Sequence, residues 1–203
     1  MVDTEALFQR KLKRIAAPSP KDNEFSLVAY NILCDGVFHK GSAKYPYITD
    51  ESIKYRGPDP SIAPRHIQLI KELSWLDGDI VCLQEVDPFY FPHLLVELDS
   101  LGYHGVYKQH DSLHGVATFY KRAKFYMKSS DVYGFAELLG ELGDAENQLK
   151  DANRHNQRYA LYTTLQDLQT GKEVVIGWSC VSNLTRKQRW KKCFVLSEPV
   201  LMV

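Results

Sequence analysis

The run Asp79-Ile80-Val81-Cys82-Leu83-Gln84-Glu85-Val86-Asp87 most constrains what this chain can fold into. Four consecutive apolar residues without polar alternation read as a strand covered on both faces, which demands a layered domain with material above and below the sheet. The run then ends on a carboxylate. In α/β proteins, ligands gather at the C-terminal edge of such strands. A Glu at that edge costs little if it holds a hard cation and much if it is buried without a partner. The plainer alternative for Glu85 is a solvated strand end.

Upstream, Phe25-Ser26-Leu27-Val28-Ala29-Tyr30-Asn31-Ile32-Leu33-Cys34 is a second strand-like run with an amide set inside it. Asn is poor strand material. Its amide can donate to a phosphate oxygen and accept from a neighbour, so two strands delivering Asn31 and Glu85 to one edge would make half of a metal–phosphate site. A strand-end turn is the simpler role for Asn31.

Between and beyond these runs, elements alternate as a layered α/β domain requires. A long loop over 35–61 precedes a helix from about Ile62 to Leu76. Its apolar stripe is Ile67, Ile70, Leu73 and Leu76, and Asp77-Gly78 stops it. A strand over 79–86 is followed by a helix near 90–101, closed by Gly102 as C-cap. Strands are expected at 103–108, 115–121 and 124–133, a polar helical stretch at 135–150, and a hairpin of 158–167 with 172–177. Residues 1–23, with the cluster Arg10-Lys11-Leu12-Lys13-Arg14, read as a flexible basic extension.

Composition removes several function classes. Lys plus Arg and Asp plus Glu both number 25, so the chain carries no net field to attract nucleic acid at long range. Cys34, Cys82, Cys180 and Cys193 have no zinc-ligand spacing, and Cys82 sits inside the buried run, so it reads as core. No stretch approaches the ~20 apolar residues of a membrane span. The cytoplasm is the expected location, with the nucleus second. Tyr45-Pro46-Tyr47 and Tyr55-Arg56 could stack bases and meet phosphates, or simply pack their loop.

The ordered set of Tyr30-Asn31-Ile32-Leu33 and Cys82-Leu83-Gln84-Glu85-Val86-Asp87 resembles the endonuclease/exonuclease/phosphatase superfamily. More narrowly it resembles the branch of the carbon-catabolite-repressor deadenylases, nocturnin, angel and the 2′-phosphodiesterases. Tyr45-Pro46-Tyr47, Arg65 ahead of Ile67 to Leu73, Leu101 to Tyr107, and His114 to Lys121 continue the likeness across residues 25 to 177. It implies the N-terminal half of a four-layer α/β-sandwich (helix-sheet-sheet-helix). The implied activity is a Mg²⁺-dependent phosphodiesterase, typically a 3′–5′ exoribonuclease favouring poly(A), with Mn²⁺ as substitute metal. Glu85 would correspond to the metal-binding glutamate and Asn31 to the asparagine that organises metal and phosphate. Arg65 and His114 would lie toward the substrate, an RNA 3′ end or a small phosphorylated nucleotide.

The departures from the family pattern are specific. Where the family carries a Thr-His pair after the strand Glu173-Val174-Val175-Ile176-Gly177, this chain reads Trp178-Ser179-Cys180. The family's Gly-Asp-x-Asn and Ser-Asp-His segments occur nowhere in it. The expected organisation is therefore a partial domain over 24–177 and a divergent basic tail over 178–203, weak or inactive as a nuclease by itself. One sheet alone would expose its inner apolar face, so a protein partner over that face is expected, the chain then being a non-catalytic half-domain or a non-functional partial product.

Overall fold

The computed structural model describes residues 24–36, 60–110, 113–134, 159–179 and 194–196. The tyrosine-rich loop, the basic cluster of 10–14 and the helical stretch expected at 135–150 lie outside the described residues. Strand β1 (Leu27–Asn31) leads through a short 3-10 turn (Pro60–Ile62) into α1 (Pro64–Leu76) and β2 (Ile80–Val86). Then follow α2 (Phe91–Ser100), β3 (Tyr103–Gln109), β4 (Gly115–Lys121), β5 (Phe125–Gly134), β6 (Tyr159–Asp167) and β7 (Glu173–Ser179), with β8 (Phe194–Leu196) alongside β7.

Local chemistry sets the helix ends. Pro64 opens α1, where its fixed φ suits the first helical position and its missing N–H costs nothing. Asp77 closes it in the left-handed region at φ 47, its N–H returning to the Leu73 carbonyl at 3.0 Å. Gly102, at φ 86, ends α2 as anticipated. The buried stripe of α1 differs from the expected one. His66, Leu69, Glu72 and Leu73 are buried, whereas Ile67, Ile70 and Leu76 are only partly so. Two tyrosines explain the rotation: His66 Nδ1 meets the Tyr90 hydroxyl at 2.7 Å, and the Tyr30 hydroxyl donates to Glu72 Oε2 at 2.5 Å. Polar groups so satisfied can occupy a core face.

The first sheet has the order β1-β2-β4-β3. Its β1 and β2 are parallel, from Leu27 beside Ile80 to Asn31 beside Gln84, and α1 supplies the crossover that parallel pairing requires. The second sheet, β5-β6-β7-β8, is antiparallel throughout. Alternation along β2 divides its side chains between two cores. Val81 and Leu83 pack toward the helices with Leu69, Leu73, Leu94 and Leu98. Ile80 and Cys82 pack toward the second sheet with Leu161, Leu165, Ile176 and Trp178. Each buried aliphatic or aromatic side chain contributes roughly 1.5–3 kcal/mol.

This inter-sheet core corrects the expectation of a single sheet with a bare inner face. β5, β6 and β7 form a second layer that covers Ile80, Cys82, Val116 and Tyr120. The argument for a partner on that face therefore falls away.

At the N-terminal end of β2, Asp79 ties the layers together. Its Oδ2 accepts from the Ser26 backbone N–H at 2.8 Å, the Ser26 hydroxyl at 3.0 Å and the Lys124 ammonium at 3.0 Å. Burial raises the carboxyl's pKa, but these donors more than offset it and hold the group below its ordinary 3.8. A carboxyl with a depressed folded-state pKa stabilises the fold above its unfolded value, and that contribution is lost as pH falls through the folded value. Asp79→Asn should thus unfold at lower urea than the parent at pH 7. The gap should narrow once pH drops below about 3.8, as paired urea titrations at neutral and acid pH would show. A gap independent of pH would contradict the assignment.

Candidate active site at the ends of β1 and β2

The pleat alone would point Glu85 at the helices, together with Val81 and Leu83. A bulge prevents this. The pairing of β2 with β4 runs regularly to Gln84 beside Val116 and then jumps to Val86 beside Gly115. Glu85 is the extra residue, held in the left-handed region at φ 56. Val86 thereby regains the helix-side core and Glu85 turns toward β1. Gly115, beside Val86, lets β3 approach β4 closely at this end, because a Cβ there would lie 2.2 Å from the Lys108 carbonyl oxygen.

Turned this way, Glu85 Oε1 accepts from Asn31 Nδ2 at 2.8 Å. Asn31 Oδ1 in turn accepts from the Leu33 N–H at 2.9 Å, closing a turn in which Leu33 also has positive φ, 56. Asn31 therefore serves as a strand-end turn residue and as the partner of the carboxylate at once. The second carboxylate oxygen, Glu85 Oε2, is buried and has no hydrogen-bond partner among the described residues. Two non-glycine residues in the left-handed region and one orphaned carboxylate oxygen, all within one site, are features that structures keep where a ligand needs them.

Arg65, at the start of α1, braces the segment after Asn31. Its Nη2 donates to the carbonyls of Ile32 and Leu33, both at 2.7 Å, and its Nη1 meets Asp35 Oδ1 at 3.2 Å. The guanidinium thus shapes the Asn31 turn. His114 precedes Gly115 on the same rim. Its carbonyl accepts from the His110 N–H at 3.0 Å, and the two imidazole centroids lie 6.4 Å apart. His110 stacks on Tyr159 at the start of β6 and accepts that residue's N–H at 3.4 Å. Lys108 lies over the Tyr159 ring at 5.4 Å.

Sequence reasoning missed Asp35, Tyr159 and Trp178. Nothing in a sequence announces that residues so far apart share one rim; only the closure of the second sheet brings Tyr159 and Trp178 there. The bulge did have a signal: Leu83-Gln84-Glu85-Val86 places two polar residues between apolar ones, which breaks the strand period.

The donor set suits one hard cation. Mg²⁺ keeps several waters and commonly takes one or two carboxylates together with substrate phosphate oxygens, so Glu85 Oε2 is the atom that could hold one. Among the described residues no group of three or more His, Cys, Asp or Glu side chains converges.

No family model matches the chain. It is 34% identical over 125 residues to 2′,5′-phosphodiesterase 12 of Mus musculus, covering 59% of this chain and 19% of that protein. Protein angel homolog 2 of Bos taurus is 29% identical over 148 residues, 71% of this chain and 26% of that protein. Among solved structures, ANGEL2, a 2′,3′-cyclic phosphatase, superposes with a TM-score of 0.55 at 22% identity over 78% of this chain and 41% of that one. The human nocturnin catalytic domain gives 0.53 at 18%, over 80% and 52%. The chain therefore spans about a fifth to a quarter of the curated relatives' length and about half of the solved domains. By sequence over part of its length and by the sandwich it folds into, the chain resembles the endonuclease/exonuclease/phosphatase superfamily. Within it the chain stands close to the branch of 2′,5′-phosphodiesterase 12, angel, Ccr4 and nocturnin.

Proposed function

We propose that the Asn31–Glu85 edge is the Mg²⁺ and phosphate half-site of a phosphodiesterase directed at RNA 3′ ends, in the manner of a 3′–5′ exoribonuclease. The carrying observation is the buried Glu85 Oε2, without a hydrogen-bond partner among the described residues, beside a hydrogen-bonded Oε1. Supporting this reading, the relatives are a 2′,5′-phosphodiesterase, a 2′,3′-cyclic phosphatase and a 3′-5′-exoribonuclease, each named for chemistry at a phosphate ester.

In this reading Glu85 Oε2 holds the cation, with Mn²⁺ as substitute. Asn31 fixes the carboxylate so that Oε2 faces the rim, and Arg65 keeps the Asn31 turn in place. When bound, Mg²⁺ would neutralise charge developing on the phosphate. His114 and Lys108 line the same edge as candidates to meet substrate. The chain's sequence lacks the strand-end His, Gly-Asp-x-Asn and Ser-Asp-His segments that the resemblance leads one to expect. General acid–base help is worth about 10²–10⁴-fold in rate, so turnover by these residues alone should be weak or nil while cation binding persists. That same absence favours a second reading, a non-catalytic half-domain.

The test is Mg²⁺-dependent shortening of a 5′-labelled RNA ending in adenosines, with Glu85→Gln alongside and calorimetric Mg²⁺ titration of both chains. Mg²⁺ binding that Glu85→Gln abolishes supports the half-site. Shortening that the same substitution abolishes shows that other groups complete the chemistry. Equal Mg²⁺ binding by both chains would refute the assignment of Glu85.

A further inference from the structure

Trp178, near the end of β7, is 1% exposed, lies between the two sheets, and donates its indole N–H across the sandwich to the Leu83 carbonyl at 3.2 Å. Leu83 stands just before the bulge. The placement of Glu85 depends on what holds β2 on either side of that bulge. Beyond it, Val86 sits beside Gly115 and its carbonyl receives the Tyr107 hydroxyl at 3.3 Å. Before it, β1 and β4 hold β2 within the sheet plane, and Trp178 is the side chain that reaches the Leu83 carbonyl from the second sheet. A carbonyl has two lone pairs, so it can accept this bond in addition to a ladder bond, and no water competes in a buried position.

We propose that Trp178 is a positioning residue for Glu85: its indole N–H fixes the peptide ahead of the bulge and so aims Oε2 at the cation. The inference rests on the reading of Glu85 as the metal ligand. It implies that the second sheet reaches the half-site through a hydrogen bond as well as through packing. A rigid peptide at Leu83 leaves the strained φ of Glu85 little room to relax back toward the pleat, where its carboxylate would lose Asn31.

The test compares Trp178→Phe, which keeps an aromatic ring but removes the donor, with Leu165→Ala, which weakens the same core away from the end of β2. In metal-free chains, amide NMR should show Glu85 and Val86 displaced in Trp178→Phe and unmoved in Leu165→Ala. Titrated with Mg²⁺ alone, Trp178→Phe should bind about fivefold more weakly than the parent, the worth of one hydrogen bond. Leu165→Ala should bind as the parent does despite a larger loss of stability. Parental amide positions and parental Mg²⁺ affinity in Trp178→Phe would overturn the proposal. If the parent bound no Mg²⁺ but the amides still moved, the metal reading would fail and the positioning role would stand.

Discussion

In the absence of divalent cations, Glu85→Gly should be more stable to urea than the parent, by about 1 kcal/mol. Two costs disappear. A non-glycine residue at φ 56 carries roughly 1–3 kcal/mol of strain, and an unsatisfied buried polar atom such as Oε2 costs about 1–3 kcal/mol. Two benefits disappear as well: the bond from Asn31 to the carboxylate, worth about 1.5–3 kcal/mol, and the lower chain entropy of a non-glycine residue, about 0.5–1 kcal/mol. The balance favours the variant. Added Mg²⁺ should then stabilise the parent by mass action and leave the variant unchanged, so the gap closes as the cation is raised. A variant less stable than the parent without metal would show that Glu85 is structural.

Arg65→Ala should cost about 3–5 kcal/mol, because it strips the guanidinium from the nearly buried Asp35 carboxylate and from two carbonyls together. Arg65→Lys should recover little of this. A single ammonium cannot reproduce a planar fork that reaches three acceptors. Both variants should also lose the stabilisation that Mg²⁺ confers on the parent, since the Asn31 turn rests on those carbonyls. Chemical denaturation with and without Mg²⁺ reads both effects. A lysine variant within about 1 kcal/mol of the parent would mean that charge alone, without the fork, holds the turn.

What could be read from the sequence, and what could not, separates along physical lines. β2 was legible because a strand covered on both faces has no room for polar alternation, and its abrupt end marked Glu85. Asn31 was legible as an amide out of place in a strand. The buried face of α1 was misread because hydropathy counts His66 and Glu72 as polar, whereas Tyr90 and Tyr30 satisfy them and let them pack. The second sheet's closure over the first was not foreseen, because β5 to β7 alternate as any half-buried strand does and do not specify which surface they cover. Arg65 is expected toward the substrate by resemblance, whereas its guanidinium is turned onto the Asn31 turn. Its three acceptors could not be named without coordinates.

The bond between Trp178 and Leu83 joins residues 95 positions apart, while the helix-side core is assembled from segments nearer in sequence. Contacts of long separation form late, because loop closure must be met before they repay it. During folding, β1 to β4 with α1 and α2 should therefore consolidate first, and the second sheet should dock afterwards. The carboxylate edge would then be the last part of the molecule to acquire its final shape. Substitutions at Trp178 should accordingly speed unfolding while leaving the refolding rate nearly unchanged, and those at Leu73 should slow refolding. Stopped-flow kinetics on the two variants would decide the order.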